Sequence, residues 1–354
     1  MDGTAIILCE GNLTQPTGKT AHGLIRGTER YRILGVIDSE NAGKDAGLVL
    51  DKKPNGIPIF KNLETAIENL GGKPDYLVFG IAPDGGMLPE ELKPAIITAL
   101  QLGINVDCGL HQPLGDDAEL AEAARVSGAT IRDVRKCKPV SELHFFEGKI
   151  EQVESIRIAI LGTDSAIGKR TTAKILLDSL RDNGISTEMV GTGQTAWFQG
   201  IPYCMLMDAT INDFVAGEIE HAVFEAWKNK KPKVILIEGQ GCLTNPAYPG
   251  GFEILAAARP HAVIMQHAPK RKVYDGFPDY PLAGLEKEIK LVEMLSNKPV
   301  MAVTINHESM DETEVENCIK EYELKYSLPV CDVLLDGADK IIKELENRFP
   351  EVTK

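Results

Sequence analysis

One strand-loop-helix pattern near the middle of the chain constrains the fold most. An apolar, β-rich run at 156–161 leads into a polar loop bounded by Gly162 and Gly168, and a helical pattern follows from Lys169. An anion at such a helix start meets unsatisfied backbone N–H groups and the positive end of the helix dipole, and glycines let the backbone approach closely. We therefore predict a phosphate-binding loop made of Gly162, Thr163, Asp164, Ser165, Ala166, Ile167, Gly168, Lys169, Arg170, Thr171 and Thr172.

This loop departs from the common pattern G-x-x-x-x-G-K-[ST] in two ways. Five residues separate Gly162 from Gly168, and Arg170 stands where a magnesium-binding hydroxyl is expected. A guanidinium cannot ligate Mg²⁺, but it binds phosphate oxygens in bidentate fashion. The pattern therefore favours a metal-free anchor for a pyrophosphate over hydrolysis of a magnesium nucleotide, although Thr171 could still serve as a metal ligand.

Composition limits the class of protein and its partners. A chain of 354 residues with 43% hydrophobic and 25% charged residues is typical of a globular protein of two domains. The net charge of -14 argues against a nucleic-acid or anionic-membrane partner. Seven scattered cysteines without a C-x-x-C pair, and no signal peptide or membrane-spanning run, predict a cytoplasmic protein that binds small molecules.

Apolar β-type runs alternate with helical stretches along the whole chain, which predicts an α/β fold with mostly parallel sheets. We expect an N-terminal Rossmann-like domain over 1–152, including a linker at 135–152, and a C-terminal domain resembling P-loop NTPases over 153–354. The strands expected in the first domain are 5–9, 32–37, 76–81, 104–106 and 130–134.

The first domain lacks a dinucleotide fingerprint. Asp38 follows the second predicted strand, but the glycines after the first strand have the wrong spacing for G-x-G-x-x-G, which argues against NAD. Gly18-Lys19-Thr20 looks like the tail of a phosphate loop. Lys19 is therefore placed either at an anion site or in a solvent loop that caps a helix.

Small and polar residues follow two strands of the second domain. Gln194 and Thr195 come after the strand at 186–190, and Glu238 ends the buried-type strand at 234–238. In phosphate-loop enzymes an acid at this position orients water, a metal or a substrate group. The missing side chains at Gly239 and Gly241, on either side of Gln240, indicate close approach by a ligand.

The segment that opens the helix after 211 supplies further polar candidates. Asp208 and Asn212 are available for a ligand. Asp213 is either a functional acid or part of a capping box, because Thr210 and Asp213 have the spacing of that motif.

Several motifs together resemble a known family. Gly-Thr-Asp-x-x-x-Gly-Lys at 162–169 is similar to the phosphate loop of dethiobiotin synthetase. Gly-Lys-Arg-Thr-Thr at 168–172, Gly-Thr-Gly-Gln-Thr at 191–195, Asn-Asp-Phe-Val-Ala-Gly at 212–217 and Glu-Gly-Gln-Gly at 238–241 resemble the DgcN-type family of D-glutamate N-acetyltransferases. The resemblance implies an enzyme, an acyltransferase with acetyl-coenzyme A as donor and no metal.

We hypothesise acetyl transfer from acetyl-coenzyme A to the amine of an acidic amino acid, with D-glutamate as the first choice. The expected general base is Glu238, then Asp213 or Asp208, and Gln240, Gln194 and nearby glycine N–H groups would polarise the carbonyl. Cationic partners for the acceptor are expected around the strand that ends at His267. They are Arg259, Lys270 and Arg271, with Lys19 from the first domain.

Two other functions stay open. One is an ATP- and Mg²⁺-dependent carboxylate-activating ligase of the dethiobiotin synthetase type, in which Asp164 and Glu238 would hold the metal. The other is a nucleotide-binding regulatory protein. A homodimer is the expected assembly on general frequency alone.

Overall fold

The structure is a computed structural model that describes residues 1–353. It divides into two compact units, the first made of 1–137 with 194–201 and the second of 138–193 with the chain from 202 onward. Each unit is a parallel α/β sheet, which confirms the predicted fold class. The units divide at 137, whereas the sequence analysis places the domain division at 152.

The first unit is built on a six-stranded sheet. Its strands are β1 (Gly3–Leu8), β2 (Tyr31–Ile37), β3 (Ile59–Phe60), β4 (Tyr76–Phe79), β5 (Asn105–Cys108) and β6 (Ile131–Asp133). Its first helices are α1 (Lys19–Arg26), α2 (Ala46–Asp51), α3 (Leu63–Leu70), α4 (Lys93–Gln101) and α5 (Ala118–Ser127). All pairs are parallel in the order β3-β2-β1-β4-β5-β6, so the strand order reverses between β1 and β4 as in Rossmann-like folds.

The rest of the chain contributes a seven-stranded sheet and a small hairpin. Its strands are β7 (Ile156–Gly162), β8 (Thr187–Gly191), β9 (Tyr203–Cys204), β10 (Val234–Glu238), β11 (Ala262–His267), β12 (Val273–Tyr274), β13 (Phe277–Pro281), β14 (Val300–Ile305) and β15 (Val330–Cys331). Its helices are α6 (Lys169–Asp182), α7 (Gln194–Phe198), α8 (Asn212–Lys230), α9 (Gly251–Ala258), α10 (Leu285–Ser296), α11 (Glu312–Tyr326) and α12 (Asp339–Arg348).

Strand order in the large sheet of the second unit is β15-β14-β11-β7-β10-β8-β9, with parallel pairing throughout. Every residue of β7 and β10 is buried, which explains why both strands are mostly apolar. Because these central strands are parallel, their carboxyl ends meet at one edge. The phosphate loop after β7 and the Glu238 loop after β10 therefore share that edge.

Several short helices join these elements. They are the 3-10 turns Pro16–Gly18, Ser39–Asn41, Asp84–Gly86, Glu90–Leu92, Leu114–Asp116, Val140–Glu142, Lys149–Gln152, Met207–Ala209 and Pro350–Thr353. No helix within residues 1–353 is both long and apolar enough to cross a lipid bilayer.

One segment belongs to a different unit from the residues that precede and follow it in sequence. Residues 194–201, which contain α7, belong to the first unit although they follow β8. Phe198 is fully buried in the core of the first unit, and the Gln199 amide donates to the carbonyl oxygens of Gly23 and Gly27 at 2.9 Å each. The Arg30 guanidinium lies 3.8 Å from the centre of the Trp197 ring. These contacts give the segment a defined place in the first unit.

Two buried carboxylates on α8 explain why 138–152 belongs to the second unit. Glu218 accepts a hydrogen bond from the backbone of His144 at 2.8 Å, and Glu220 accepts from the backbone of Glu147 and Ile150 at 2.7 and 3.0 Å. Gly217 lets the segment approach, because a Cβ there would lie 2.1 Å from the His144 carbonyl oxygen. These partners lie about 70 residues later in sequence, so the segment has the local pattern of a linker.

Candidate functional site

The phosphate loop has the backbone of an anion-binding turn. β7 ends at Gly162, and the 14-residue helix α6 begins at Lys169. Gly168 has a φ of +103°, a conformation that residues with a side chain rarely adopt. A Cβ on Gly162 would lie 2.7 Å from the Gln266 carbonyl oxygen, so this position also requires glycine. The loop therefore leads directly into the start of a long helix, a position at which an anion can bind.

Lys169 lies within this loop. Its side chain is 6% exposed, and its ammonium donates to the Asp164 carbonyl oxygen at 2.5 Å. Burial lowers the Lys169 pKa to about 8, although the neighbouring Cys242, Asp164 and Glu238 act in the opposite direction. An anion bound beside Lys169 would favour the charged form, so binding and protonation are coupled.

We expect anion binding at this loop to weaken above pH 8. Because Lys169 is charged below its pKa of about 8, the dissociation constant should be constant near pH 7 and rise up to about tenfold per pH unit at higher pH. Calorimetric titration with sulfate, which keeps its charge over this range, measures this. Lys169→Met should bind sulfate weakly without this pH dependence, and a flat profile for the unmodified protein would contradict the coupling.

The Asp164 side chain fixes the position of the phosphate loop. Its carboxylate is fully buried and accepts hydrogen bonds from the Asn245 amide at 3.0 Å, the Arg271 guanidinium at 2.9 Å and the Asp275 backbone N–H at 2.9 Å. Arg271 also donates to the Ser165 carbonyl oxygen at 2.8 Å. Both oxygens of the Asp164 carboxylate therefore accept hydrogen bonds, and these bonds fix the loop.

Arg271 is itself oriented by a second carboxylate. Its guanidinium donates to both oxygens of Glu308, at 2.9 and 2.8 Å. Such a bidentate pair fixes the guanidinium plane, and only 14% of the Arg271 side chain is exposed. Arg271 was predicted to bind the acceptor, but in this geometry its contacts are those of a residue that positions the phosphate loop.

A row of polar side chains supports the loop along β11 and β14. The Gln266 amide oxygen accepts hydrogen bonds from the hydroxyls of Thr172 and Thr304, each at 2.5 Å. Thr163 Oγ1 and His267 Nδ1 are 2.8 Å apart. Burial lowers the His267 pKa to about 4, so the imidazole is neutral near pH 7. His267 therefore supports Thr163 and offers no positive charge to an acceptor carboxylate.

Glu238 is held at the end of β10. Its side chain is 5% exposed, and Oε2 accepts hydrogen bonds from the backbone N–H groups of Thr192 at 2.8 Å and Gly193 at 3.3 Å. Burial raises the pKa of the Glu238 carboxyl, while those N–H groups and the charges of Arg170 and Lys169 oppose the shift. A buried carboxyl with a raised pKa, close to basic residues, is suited to accept a proton in catalysis.

Gln240 adjoins this acid. Its amide donates to the Thr192 hydroxyl at 3.2 Å, and that hydroxyl donates to the Glu238 carbonyl oxygen at 3.0 Å. The carboxyl ends of β8 and β10 thus form one polar network. Gln240 and Glu238, both predicted from sequence, are brought together by the structure.

Glycine is required on either side of Gln240 for a different reason from the predicted approach of a ligand. A Cβ on Gly239 would lie 2.2 Å from the Ile160 carbonyl oxygen, and one on Gly241 would lie 1.7 Å from the Tyr248 carbonyl oxygen. The protein's own backbone therefore requires both glycines. Their presence does not by itself indicate a ligand.

The acids near α8 lie on the surface. Asp208 and Asp213 are exposed, and the Asn212 amide contacts Glu253 at 3.4 Å. The capping box expected between Thr210 and Asp213 does not form, because the Thr210 hydroxyl donates to the Leu206 carbonyl oxygen at 2.7 Å. Of the three acids predicted as general base, Glu238 is the one whose side chain is buried.

The remaining predicted residues lie elsewhere. Arg259 precedes β11, at the edge of the sheet opposite the phosphate loop, and pairs with Glu151. This position contradicts its predicted role next to His267. Lys19, Gln194 and Thr195 belong to the first unit, where Lys19 is exposed at the start of α1 and the other two are buried.

Four polar residues that hold the phosphate loop or Glu238 in place were not predicted from sequence. Asn245 after β10 and Asn306 and Glu308 after β14 hold the phosphate loop directly or through Arg271, and Thr192 after β8 holds Glu238. The Asn306 amide, for example, donates to the Ile167 carbonyl oxygen at 3.1 Å. Their position after strands of a parallel sheet is a signal that could have found them.

Comparisons with known proteins agree with this geometry. A family model described as "Domain of unknown function (DUF1611_C) P-loop domain" matches 144–342, and a DUF1611_N model described as a Rossmann-like domain matches 39–137. A crystal structure of a DUF1611 family protein from Anabaena variabilis has 30% sequence identity and a TM-score of 0.88, covering 98% of this chain and 99% of its own.

Two curated relatives carry a functional name. A D-glutamate N-acetyltransferase of Tritonibacter scottomollicae is 32% identical over 76% of this chain and 80% of its own length. A D-glutamate N-acetyltransferase of a Pseudoalteromonas species is 27% identical over 78% and 82%. With the two matched domain models and the geometry of the loop, these similarities show that the chain belongs to the DUF1611 family, whose named relatives are acyltransferases.

Proposed function

We propose that this protein transfers an acetyl group from acetyl-coenzyme A to the α-amine of an acidic amino acid, with D-glutamate as the favoured acceptor. The observation that carries the proposal is the buried Glu238 carboxyl with its raised pKa, placed near Lys169 and Arg170 of the phosphate loop. The names of the two curated relatives support the same reaction.

The reaction needs a base, a polarised carbonyl and an anchored donor. Glu238 takes a proton from the acceptor ammonium, and the free amine attacks the thioester carbonyl. The C–S bond then breaks, and the coenzyme A thiolate takes up the proton that the attacking nitrogen loses. Gln240 and backbone N–H groups near Thr192 are the proposed donors to the carbonyl oxygen. Holding both substrates in one orientation removes much of the entropic barrier to this step.

The phosphate loop is the proposed anchor for the pyrophosphate of coenzyme A. Its helix start, Lys169 and Arg170 supply N–H groups and positive charge to phosphate oxygens. The rival ligase would need Asp164 as a magnesium ligand, whereas the Asp164 carboxylate already accepts hydrogen bonds from Asn245, Arg271 and Asp275. That occupancy favours the metal-free anchor.

Thiol release separates these functions. The purified protein is mixed with acetyl-coenzyme A and D-glutamate without ATP, and free thiol is followed over time. We expect release that depends on the amino acid. Release only with ATP and Mg²⁺ would favour the ligase, and nucleotide binding without any turnover would favour a regulatory protein.

Arg271→Ala is expected to raise the Michaelis constant for acetyl-coenzyme A on the order of tenfold, because it removes hydrogen bonds to Asp164, Ser165 and Glu308. Arg259→Ala is the matched control and should change little, since its ion pair is exposed. Steady-state kinetics with both substrates varied measures this. A rise confined to the Michaelis constant for the amino acid would instead assign Arg271 to the acceptor.

A further inference from the structure

A histidine and a buried acid form a pair at the carboxyl edge of the large sheet in the second unit. His307 follows β14, and its Nδ1 lies 2.6 Å from Oδ2 of Asp332, which follows β15. The Asp332 side chain is 1% exposed, and its Oδ1 accepts a hydrogen bond from the backbone N–H of Leu334 at 2.9 Å. A carboxylate can only accept, so Nδ1 of His307 carries a proton and Nε2 is the nitrogen that remains for another group.

The residues on either side of His307 hold the phosphate loop. The Asn306 amide donates to the Ile167 carbonyl oxygen at 3.1 Å, and both oxygens of Glu308 accept hydrogen bonds from the Arg271 guanidinium. His307 therefore lies on a segment whose position relative to the phosphate loop is fixed, while 36% of its own side chain is exposed. An imidazole in this place can contact a ligand that extends from the phosphate loop.

The negative charges near His307 have partners of their own. Arg271 balances the charge of Glu308 through two hydrogen bonds, and the Asp336 carboxylate accepts from the backbone N–H of Asp332 at 3.0 Å. A neutral imidazole with its proton on Nδ1 has a lone pair on Nε2, whereas an imidazolium has an N–H there. The charge of a bound anion favours the imidazolium, so Nε2 can donate to such an anion.

The strand order distinguishes the two sides of the phosphate loop. β7, which leads into the loop, has β10 with Glu238 on one side and β11 followed by β14 on the other. Neighbouring strands lie about 4.8 Å apart, so His307 follows a strand about 10 Å from β7, on the side opposite Glu238. Coenzyme A extends from its pyrophosphate in two directions, with the thioester arm at one end and a ribose with a 3′-phosphate at the other. With the thioester at Glu238, the ribose lies on the side of β14.

We propose that Nε2 of His307 binds the 3′-phosphate of coenzyme A, an inference that rests on the proposed function. An imidazolium N–H and a phosphate oxygen form a charge-assisted hydrogen bond. Asp332 is then a positioning residue, because it is buried and acts on the ligand only through His307. The pair would distinguish coenzyme A from nucleoside diphosphates and triphosphates, which have no phosphate on the ribose 3′ oxygen.

The contribution of this phosphate is measured with a matched pair of ligands. Coenzyme A and 3′-dephospho-coenzyme A both have the pyrophosphate, and only the former has the 3′-phosphate. Calorimetry on the full chain should show coenzyme A binding about tenfold or more tightly. His307→Asn keeps a donor for Asp332 but has no Nε2, so it should bind both ligands at the level of 3′-dephospho-coenzyme A. His307→Ala should repeat this loss, and Asp332→Asn should reduce the preference in part.

His144→Asn is the matched control. The Nδ1 of His144 lies 2.7 Å from Oε1 of the buried Glu218, and 42% of the His144 side chain is exposed, so the pair resembles that of His307. Glu218, however, lies within α8 and not at the end of a strand. His144→Asn should therefore keep the preference for coenzyme A. The unfolding temperature of each variant is measured alongside to verify that it is folded.

The outcomes separate this site from the proposed reaction. An equal loss of affinity for both ligands in His307→Asn would assign the histidine to support of the phosphate loop and overturn the phosphate site. An unchanged preference in that variant, or no preference in the unmodified protein, would overturn it as well. Thiol release with D-glutamate is scored separately. Turnover with a preference that does not depend on His307 would overturn the site alone, and a preference that depends on His307 without turnover would overturn the reaction alone.

Discussion

Glu238→Gln is expected to lower kcat for acetyl transfer about 10²–10⁴-fold, with little change in either Michaelis constant. The substitution keeps the shape of the side chain and an oxygen that can accept the N–H groups of Thr192 and Gly193, but it cannot take a proton. Glu220→Gln is a matched control, because Glu220 is also buried and accepts backbone N–H groups in the same unit. It should affect stability and spare kcat.

The pH dependence of kcat tests the same assignment. Activity should rise as Glu238 loses its proton, and because burial raises the pKa of Glu238, the midpoint should lie above the usual 4.5. A raised pKa in the folded state also means that the free energy of unfolding falls as pH rises through that pKa, and Glu238→Gln should remove this fall. Full activity of Glu238→Gln would transfer the role to Asp213 or Asp208.

Lys169→Ala and Arg170→Ala are each expected to raise the Michaelis constant for acetyl-coenzyme A by an amount equivalent to about 1.5–3 kcal/mol of charge-assisted hydrogen bonding. Their effect on kcat should be small, because the pyrophosphate lies away from the reacting thioester. Lys174→Ala, on the same helix but in an exposed ion pair with Asp178, is the control and should change neither constant.

Arg170→Ser separates the two models of the loop. It restores the common Gly-Lys-Ser order, so it should behave like Arg170→Ala in acetyl transfer and gain affinity for Mg²⁺-ATP. The unmodified protein should keep its activity in excess EDTA, with ATP at most a weak competitor. Loss of turnover in EDTA and its recovery with Mg²⁺ would contradict the metal-free anchor and favour the ligase.

The fold could be predicted from local patterns, with particular exceptions. Alternating strand and helix patterns correctly predicted two parallel α/β sheets. The transfer of 194–201 to the first unit had no local signal, because it depends on contacts with residues 20–30. The two-residue strand β3 was missed because so short a run has no measurable periodicity.

The positions of the loops that form the site could be predicted from sequence, whereas the roles of several side chains could not. The phosphate loop, Glu238 and Gln240 follow strand ends that sequence can locate. The roles of Asp164 and Arg271 could not be predicted, because their mutual hydrogen bond joins residues 107 positions apart. Arg259 was misplaced because sequence proximity to β11 does not tell which end of the strand a residue occupies. The acetyl-coenzyme A donor, the cytoplasmic location and the homodimer stay predictions.

The central claim is acetyl transfer without a nucleotide or metal, and one measurement tests it most directly. The full chain is incubated with acetyl-coenzyme A, D-glutamate and excess EDTA, without ATP, and free thiol and N-acetylated amino acid are quantified together, with Glu238→Gln in parallel. We predict equal amounts of both products from the unmodified protein and almost none from Glu238→Gln. Thiol release without N-acetylated product, or no release until ATP and Mg²⁺ are added, would contradict the account.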